Sequence, residues 1–110
     1  MTVPKGSRVM IGAPARFPTA LVDALTRLFL TWREVRRAYV AHFFNPDVDT
    51  KGHTLVAIEI DGDWDVLIAE TGTIVKATKV PDPPVDFIRL TGGQGIEEYF
   101  RKAKPFYERK

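Results

Sequence analysis

The stretch VRRAYVAHFF-NPDVDTKG-HTLVAIEI, residues 35–60, consists of two apolar runs on either side of a polar loop. Both runs are rich in β-branched and aromatic residues, which favour strands. The loop, residues 45–52, has the Asn, Pro, Asp and Gly content typical of turns. The pattern therefore predicts two neighbouring antiparallel strands joined by a long turn.

The face that each residue of these strands occupies depends on how the strands are paired. Val56, Ile58 and Ile60 share one face of the second strand, which we predict to be the core face. We expect Phe44 to lie opposite His53, which would put Tyr39 and Ala41 on the core face too. The other face would then present an unusually apolar set: Val40, His42, Phe44, Leu55 and Ala57. An open sheet normally shows water polar residues, so either the C-terminal segment covers this face or it binds another protein or a second copy.

Flanking segments supply further elements. Apolar residues recur at helical spacing from Leu21 to Trp32, after Pro18 in the first turn, which predicts an amphipathic helix. Residues 8–12 and 85–90 have the composition of short strands, and residues 96–102 that of a short helix.

Residues 64–80 fit two structures. Their apolar spacing and a potential N-cap at Asp63 favour a helix, whereas the sequence Thr71-Gly72-Thr73 would also suit a hairpin. With the helix, the order of elements becomes that of a split βαβ, ferredoxin-like domain. The expected fold class is α+β: a four-stranded antiparallel sheet, two main helices on one face and a short C-terminal helix.

Composition sets the protein class. The 110 residues carry a net charge of +2 and contain no cysteine, which predicts one domain over 1–110 and excludes disulfides and thiol chemistry. No apolar run approaches the length of a membrane span, so we expect a cytoplasmic protein with no membrane partner.

Catalytic and metal-binding signatures are not evident. Ser7 is the only serine and has no recognisable triad partners, and His42 and His53 fit no ligand spacing. The glycine-rich residues 91–95 lack the Lys-Ser/Thr of a phosphate-binding P-loop. We therefore expect no enzyme, no metal and no cofactor.

Basic residues occur in two places. Arg36 and Arg37 precede Tyr39 in the first strand, but the pattern of an RNA-recognition sheet is absent, so nucleic acid is not the expected partner. Residues 101–110 carry five Lys or Arg against one Glu. Such a basic segment acts either as a contact for nucleic acid or an acidic partner, or as a solubilising end.

Four motifs resemble one family. Residues 11–18 (IGAPARFP), 35–39 (VRRAY), 55–64 (LVAIEIDGDW) and 104–107 (KPFY) resemble the C-terminal domain of the enhanced serine sensitivity protein B (SseB) family. This resemblance implies a bacterial cytosolic domain of poorly known biochemistry, named for a serine-sensitivity phenotype, that usually follows an N-terminal partner domain. It also favours a helix after the acidic turn, and it supplies no catalytic residues.

Two hypotheses of function follow. The first is a non-enzymatic interaction or regulatory module that self-associates or docks a protein partner through the apolar face. The alternative is a sensor of a small amino acid, possibly serine, built on the plan of the amino-acid-binding ACT domains. In that hypothesis Gly12, Ala13 and Pro14 approach the ligand, near the N-terminus of the first helix.

Overall fold

Five strands and three helices make up the described part of the computed structural model, which covers residues 10–14, 16–45, 49–81, 84–91 and 97–109. In chain order they are β1 (Met10–Gly12), α1 (Thr19–Phe29), β2 (Val35–Asn45), β3 (Asp49–Ile60), α2 (Trp64–Ala77), β4 (Val85–Arg89), α3 (Glu97–Lys102) and β5 (Tyr107–Glu108). The α+β class and the predicted order of elements are confirmed.

The strands lie in the order β1-β2-β3-β4, and β5 pairs with β2 along the edge that β2 shares with β1. The prediction of a purely antiparallel sheet is wrong, because β3 and β4 are parallel. The reason lies in α2, which carries the chain back across the sheet before β4 begins. Such a helical crossover is the connection that parallel strands require.

The two main helices form where the sequence provides apolar spacing and caps. Leu21, Leu25 and Phe29 recur every four residues and are fully buried, so α1 lies with one face on the sheet. At the start of α2, the Asp63 side chain accepts a hydrogen bond from the backbone N–H of Val66 at 3.2 Å. The helix that the resemblance favoured over residues 64–77 is thus confirmed.

Both faces of the sheet are covered, and each has its own hydrophobic cluster. On the first face, α1 and α2 pack over buried residues of β2 and β3, including Ala38, Val56 and Ile58. On the second face, Phe100 of α3 packs with the following sheet residues: Tyr39, Ala41, Phe43, Leu55, Ala57 and Ile88. The sheet face opposite α1 and α2 is therefore covered by α3, which belongs to the C-terminal segment considered above as an intrachain cover.

The predicted pairing of β2 with β3 is wrong by one residue. His53 lies opposite Phe43 rather than Phe44, and Tyr39 lies opposite Ala57. Because side chains alternate between faces, this single step moves all of β2 to the other side of the sheet. Val56 and Ile58 do face the main core, as predicted, but Tyr39 and Ala41 lie on the α3 side.

No helix within these described ranges is long and apolar enough to cross a membrane.

Candidate functional site

The five residues of the predicted partner-binding face do not share a face. Val40, His42 and Phe44 alternate with Tyr39 and Phe43, so they lie on the α1 and α2 side, where each is half-buried. Leu55 and Ala57 lie on the α3 side and are fully buried. The expectation of one continuous apolar docking face is wrong, because it depended on the shifted pairing.

The residues of the alternative ligand site lie at the end of β1. Gly12 pairs with His42, Ala13 is exposed and Pro14 is half-buried. A Cβ atom at Gly12 would meet no atom within 4 Å, so no close approach there requires glycine. None of the three lines either of the cavities described next.

A cavity of about 610 Å³ opens at the end of the sheet where β2 begins and where β3 and β4 end. This volume lies within the range typical of small-molecule sites. Its lining comes from β2, β3, β4, the residues after β4, and α3: Arg36, Arg37, Tyr39, Glu59, Ile60, Arg89, Leu90, Thr91, Phe100 and Arg101. Among the residues that the structure describes, four arginines and a single carboxylate thus face this space, which we call the arginine cavity.

A β-bulge at the start of β2 brings two consecutive arginines to this cavity. Val35 lies opposite Ile60 and Arg37 lies opposite Glu59, which leaves Arg36 as an extra residue. In a regular strand Arg36 and Arg37 would point to opposite faces. Here both guanidinium groups approach the same Oε2 atom of Glu59, Arg36 at 3.9 Å and Arg37 at 3.4 Å.

Ion pairs hold these two arginines in place. Arg37 Nε donates a hydrogen bond to Glu108 Oε2 at 2.7 Å, and Arg36 Nε lies 3.1 Å from Asp61 Oδ1. The hydrogen bond to Glu108, together with the charge of Glu59, raises the pKa of Arg37 above its ordinary value. Both arginine side chains remain 45% exposed, so a ligand from solvent can reach them.

The other two arginines approach from different elements. Arg89, near the end of β4, donates to the backbone carbonyls of Ile60 at 3.2 Å and Gly62 at 3.4 Å, which fixes its guanidinium group beside the cavity. Arg101 belongs to α3, where its Nη1 lies 3.4 Å from Glu98 Oε2. Its side chain is 67% exposed.

Aromatic residues line the inner wall of the cavity. The rings of Tyr39 and Phe100 lie 5.3 Å apart and belong to the hydrophobic cluster beneath α3. Burial raises the pKa of the Tyr39 hydroxyl, and the Glu59 carboxylate raises it further, while Arg37 opposes the shift. Tyr39 is therefore neutral at pH 7.

A smaller cavity of about 130 Å³ shares Arg36 and Arg37 with the arginine cavity and adds Glu108 and Arg109 to its lining. Arg109 is held by the return of the chain beside β2: its backbone N–H donates to the carbonyl of Arg36 at 2.8 Å, and its Nη1 donates to the carbonyl of Arg33 at 2.6 Å. The basic C-terminal segment thus contributes Arg101 to one cavity and Arg109 to the other.

The chemistry of the arginine cavity is that of anion binding. Guanidinium groups stay protonated at all physiological pH values and present several N–H donors in a fixed plane, which suits carboxylates and phosphates. They do not exchange protons near pH 7, so among the described lining residues the groups able to transfer a proton are the Glu59 carboxylate and the Tyr39 hydroxyl.

Sequence reasoning found part of this site. It singled out Arg36, Arg37 and Tyr39 as basic and aromatic neighbours, and Arg101 as part of a basic segment. It missed Arg89 and Glu59. The sequence carries no local signal for either one, since Glu59 reaches the cavity through the pairing of β2 with β3 and Arg89 through the pairing of β3 with β4.

Comparisons with known proteins identify the family. The family model described as the SseB protein C-terminal domain matches residues 3–109. The chain belongs to the SseB C-terminal domain family. Relatives named Protein SseB from Escherichia coli (strain K12) and Shigella flexneri are each 31% identical to it over 107 residues. Those matches cover 96% of this chain but 41% of the relatives, so the chain spans less than half of their length. No solved structure matches the chain significantly.

Two motifs that pointed to the SseB family have structural roles in this fold. The acidic turn of residues 61–64 supplies Asp63, the N-cap of α2. The KPFY motif of residues 104–107 returns to α1, where the Phe106 ring lies 6.2 Å from that of Phe29. The Tyr107 hydroxyl also donates to the Phe29 carbonyl at 3.2 Å, near the end of α1.

Proposed function

We propose that this SseB C-terminal domain is a non-enzymatic interaction module that binds an anionic group of a protein partner in the arginine cavity. The observation that supports this proposal is the convergence of four arginines from three elements on one cavity, whose described lining contains a single carboxylate. The contact surface is thus polar and basic, and it replaces the apolar face expected from the sequence.

The structure of the arginine cavity favours specific binding over a general attraction between charges. Glu59 holds Arg36 and Arg37 side by side, and Glu108 anchors Arg37 to β5. Guanidinium groups held in this way lose less side-chain entropy on binding than mobile lysines would. The cavity therefore presents a preorganised set of donors to an anion.

Binding of a fluorescently labelled hexaglutamate peptide, followed by anisotropy, tests this function. We expect R36Q and R101Q each to weaken binding, because each removes a guanidinium group from the cavity. R27Q is the matched control: Arg27 is exposed in the last turn of α1 and the substitution changes the net charge equally. An equal loss of affinity in R27Q would show that binding depends only on net charge, and it would refute the proposal.

One observation favours a second candidate, a sensor of a small amino acid. In the arginine cavity the Glu59 carboxylate lies beside the Arg37 guanidinium group. An amino acid could place its carboxylate on an arginine and its ammonium group on Glu59. This candidate moves the ligand of the alternative hypothesis from residues 12–14 to the other end of β2.

A thermal-shift scan with serine and other small amino acids tests the second candidate. Ligand at about 100 times its Kd adds about 2.7 kcal/mol of stability, which corresponds to a rise in Tm of roughly 10 °C or more for a domain of about this size. E59Q should remove that shift, because it removes the partner of the ammonium group. A flat scan for the unsubstituted domain would eliminate the sensor.

A further inference from the structure

We infer that the anionic group bound in the arginine cavity is a phosphate monoester. This inference rests on the proposed function and specifies the chemistry of the ligand. Three features of the arginine cavity support it: its charge, the directions from which its arginines approach, and its size relative to a single anion.

The charge of the lining matches a dianion better than a monoanion. Four guanidinium groups and one carboxylate give the described part of the lining a formal excess of three positive charges. Asp61, Glu108 and Glu98 pair with Arg36, Arg37 and Arg101 respectively, but they are not among the described residues that line this space. A phosphate monoester carries a charge of about −1.5 to −2 at pH 7, whereas a carboxylate or a sulfate ester carries −1.

The directions of approach suit a tetrahedral anion. Arg36 and Arg37 come from β2, Arg89 comes from β4, and Arg101 comes from α3. A carboxylate accepts hydrogen bonds close to one plane, which accommodates one or two guanidinium forks. A phosphate presents three oxygens in three directions and can accept from all of these elements together.

The size and wall of the cavity indicate an ester rather than the free ion. A volume of about 610 Å³ exceeds what one tetrahedral anion fills, so space remains for the group to which the phosphate is attached. Ile60, Leu90 and Phe100 form an apolar part of the lining, and Thr91 adds a hydroxyl. The ligand therefore pairs its phosphate with an uncharged organic group.

Calorimetric titration with three matched anions tests the inference at pH 7.5. Phenyl phosphate is a tetrahedral dianion, phenyl sulfate is a tetrahedral monoanion, and benzoate is a planar monoanion, while the phenyl group stays constant. We expect phenyl phosphate to bind at least tenfold more tightly than the other two and more tightly than inorganic phosphate. R36Q and R101Q should each weaken phenyl phosphate binding by about three- to tenfold, since each removes charge-assisted hydrogen bonds, and R27Q should leave it unchanged.

A peptide arm distinguishes a phosphorylated partner from a free organic phosphate. If a capped tripeptide with a central phosphoserine binds more tightly than phenyl phosphate, the phosphate of the ligand belongs to a protein side chain. Equal or weaker binding of that peptide assigns it to a small organic phosphate.

Similar affinities for all three phenyl anions, or an equal loss in R27Q, would overturn the phosphate inference. Binding of hexaglutamate that still depends on Arg36 and Arg101 would then leave the proposed function standing, so the two failures are distinguishable.

Discussion

Replacing Phe100 with alanine should remove the cover that α3 provides over the second face of the sheet. The Phe100 side chain is 2% exposed, and its ring lies 5.3 Å from that of Tyr39 and 5.2 Å from that of Tyr99. Burial of a phenylalanine side chain contributes about 1.5–3 kcal/mol, and each aromatic pair adds about 0.5–1.5 kcal/mol. We therefore expect F100A to lower the free energy of unfolding by about 3–5 kcal/mol, the usual range for such a truncation in a core.

Urea denaturation followed by circular dichroism measures this loss. With a slope of about 1–3 kcal/mol per molar urea, the midpoint should fall by at least about 1 M. F17A is the matched control, because Phe17 is 54% exposed and its truncation should change stability by no more than about 0.5 kcal/mol. An F100A midpoint equal to that of F17A would show that α3 does not cover the sheet in solution, and the reasoning about the closed face would fail.

Three further predictions concern local features. D63A removes the N-cap of α2 and should cost about 0.5–2 kcal/mol in thermal unfolding; an unchanged Tm would contradict the capping role. G52A places a Cβ in the left-handed region at φ 73° and against the His42 imidazole, so it should lower the free energy of unfolding by about 1–3 kcal/mol. An H42A background should relieve only the steric part of this loss. A fully stable G52A would exclude strain at this turn. Tyr39 should ionise above pH 10, and E59Q should lower the pKa of Tyr39; a difference titration of tyrosinate absorbance against Y39F measures both. Because the folded-state pKa is raised, the contribution of Tyr39 to stability is complete below about pH 10 and is lost as the pH rises through that pKa. Ionisation at or below pH 10 would contradict the site geometry.

The elements that could be predicted from the sequence are those specified by local patterns. The four-residue spacing from Leu21 to Phe29 defines α1 without help from the rest of the chain. The two apolar runs define β2 and β3 in the same way, although the structure extends them to Asn45 and Asp49. Residues 64–77 are different, because their local pattern fits both a helix and a hairpin and only the family resemblance favoured the helix.

The pairing of β2 with β3 could not be predicted because it depends on irregularities that the apolar pattern does not reveal. Register shifts occur between Val35 and Arg37 and between Phe43 and Asn45. Each such shift changes which residues of β2 lie opposite β3. An alternating pattern read without them assigns Tyr39 to the wrong face.

The candidate site could be predicted even less well than the fold, for the same reason. Arg36 and Arg37 are adjacent in the sequence, and regular alternation would separate them across the sheet. The bulge brings them together, and the parallel pairing of β4 with β3 brings Arg89 to the same end. A site assembled from strand ends and a bulge leaves no contiguous motif in the sequence.

Residues 97–109 complete both hydrophobic clusters, which has a consequence for folding during synthesis. Phe100 closes one face of the sheet, and Phe106 and Tyr107 pack against α1 on the other. On the ribosome these residues emerge after all the surfaces that they cover. Until they emerge, the nascent chain exposes the apolar sheet face that α3 covers and the part of α1 around Phe29, so this is the interval in which aggregation or chaperone binding competes with folding.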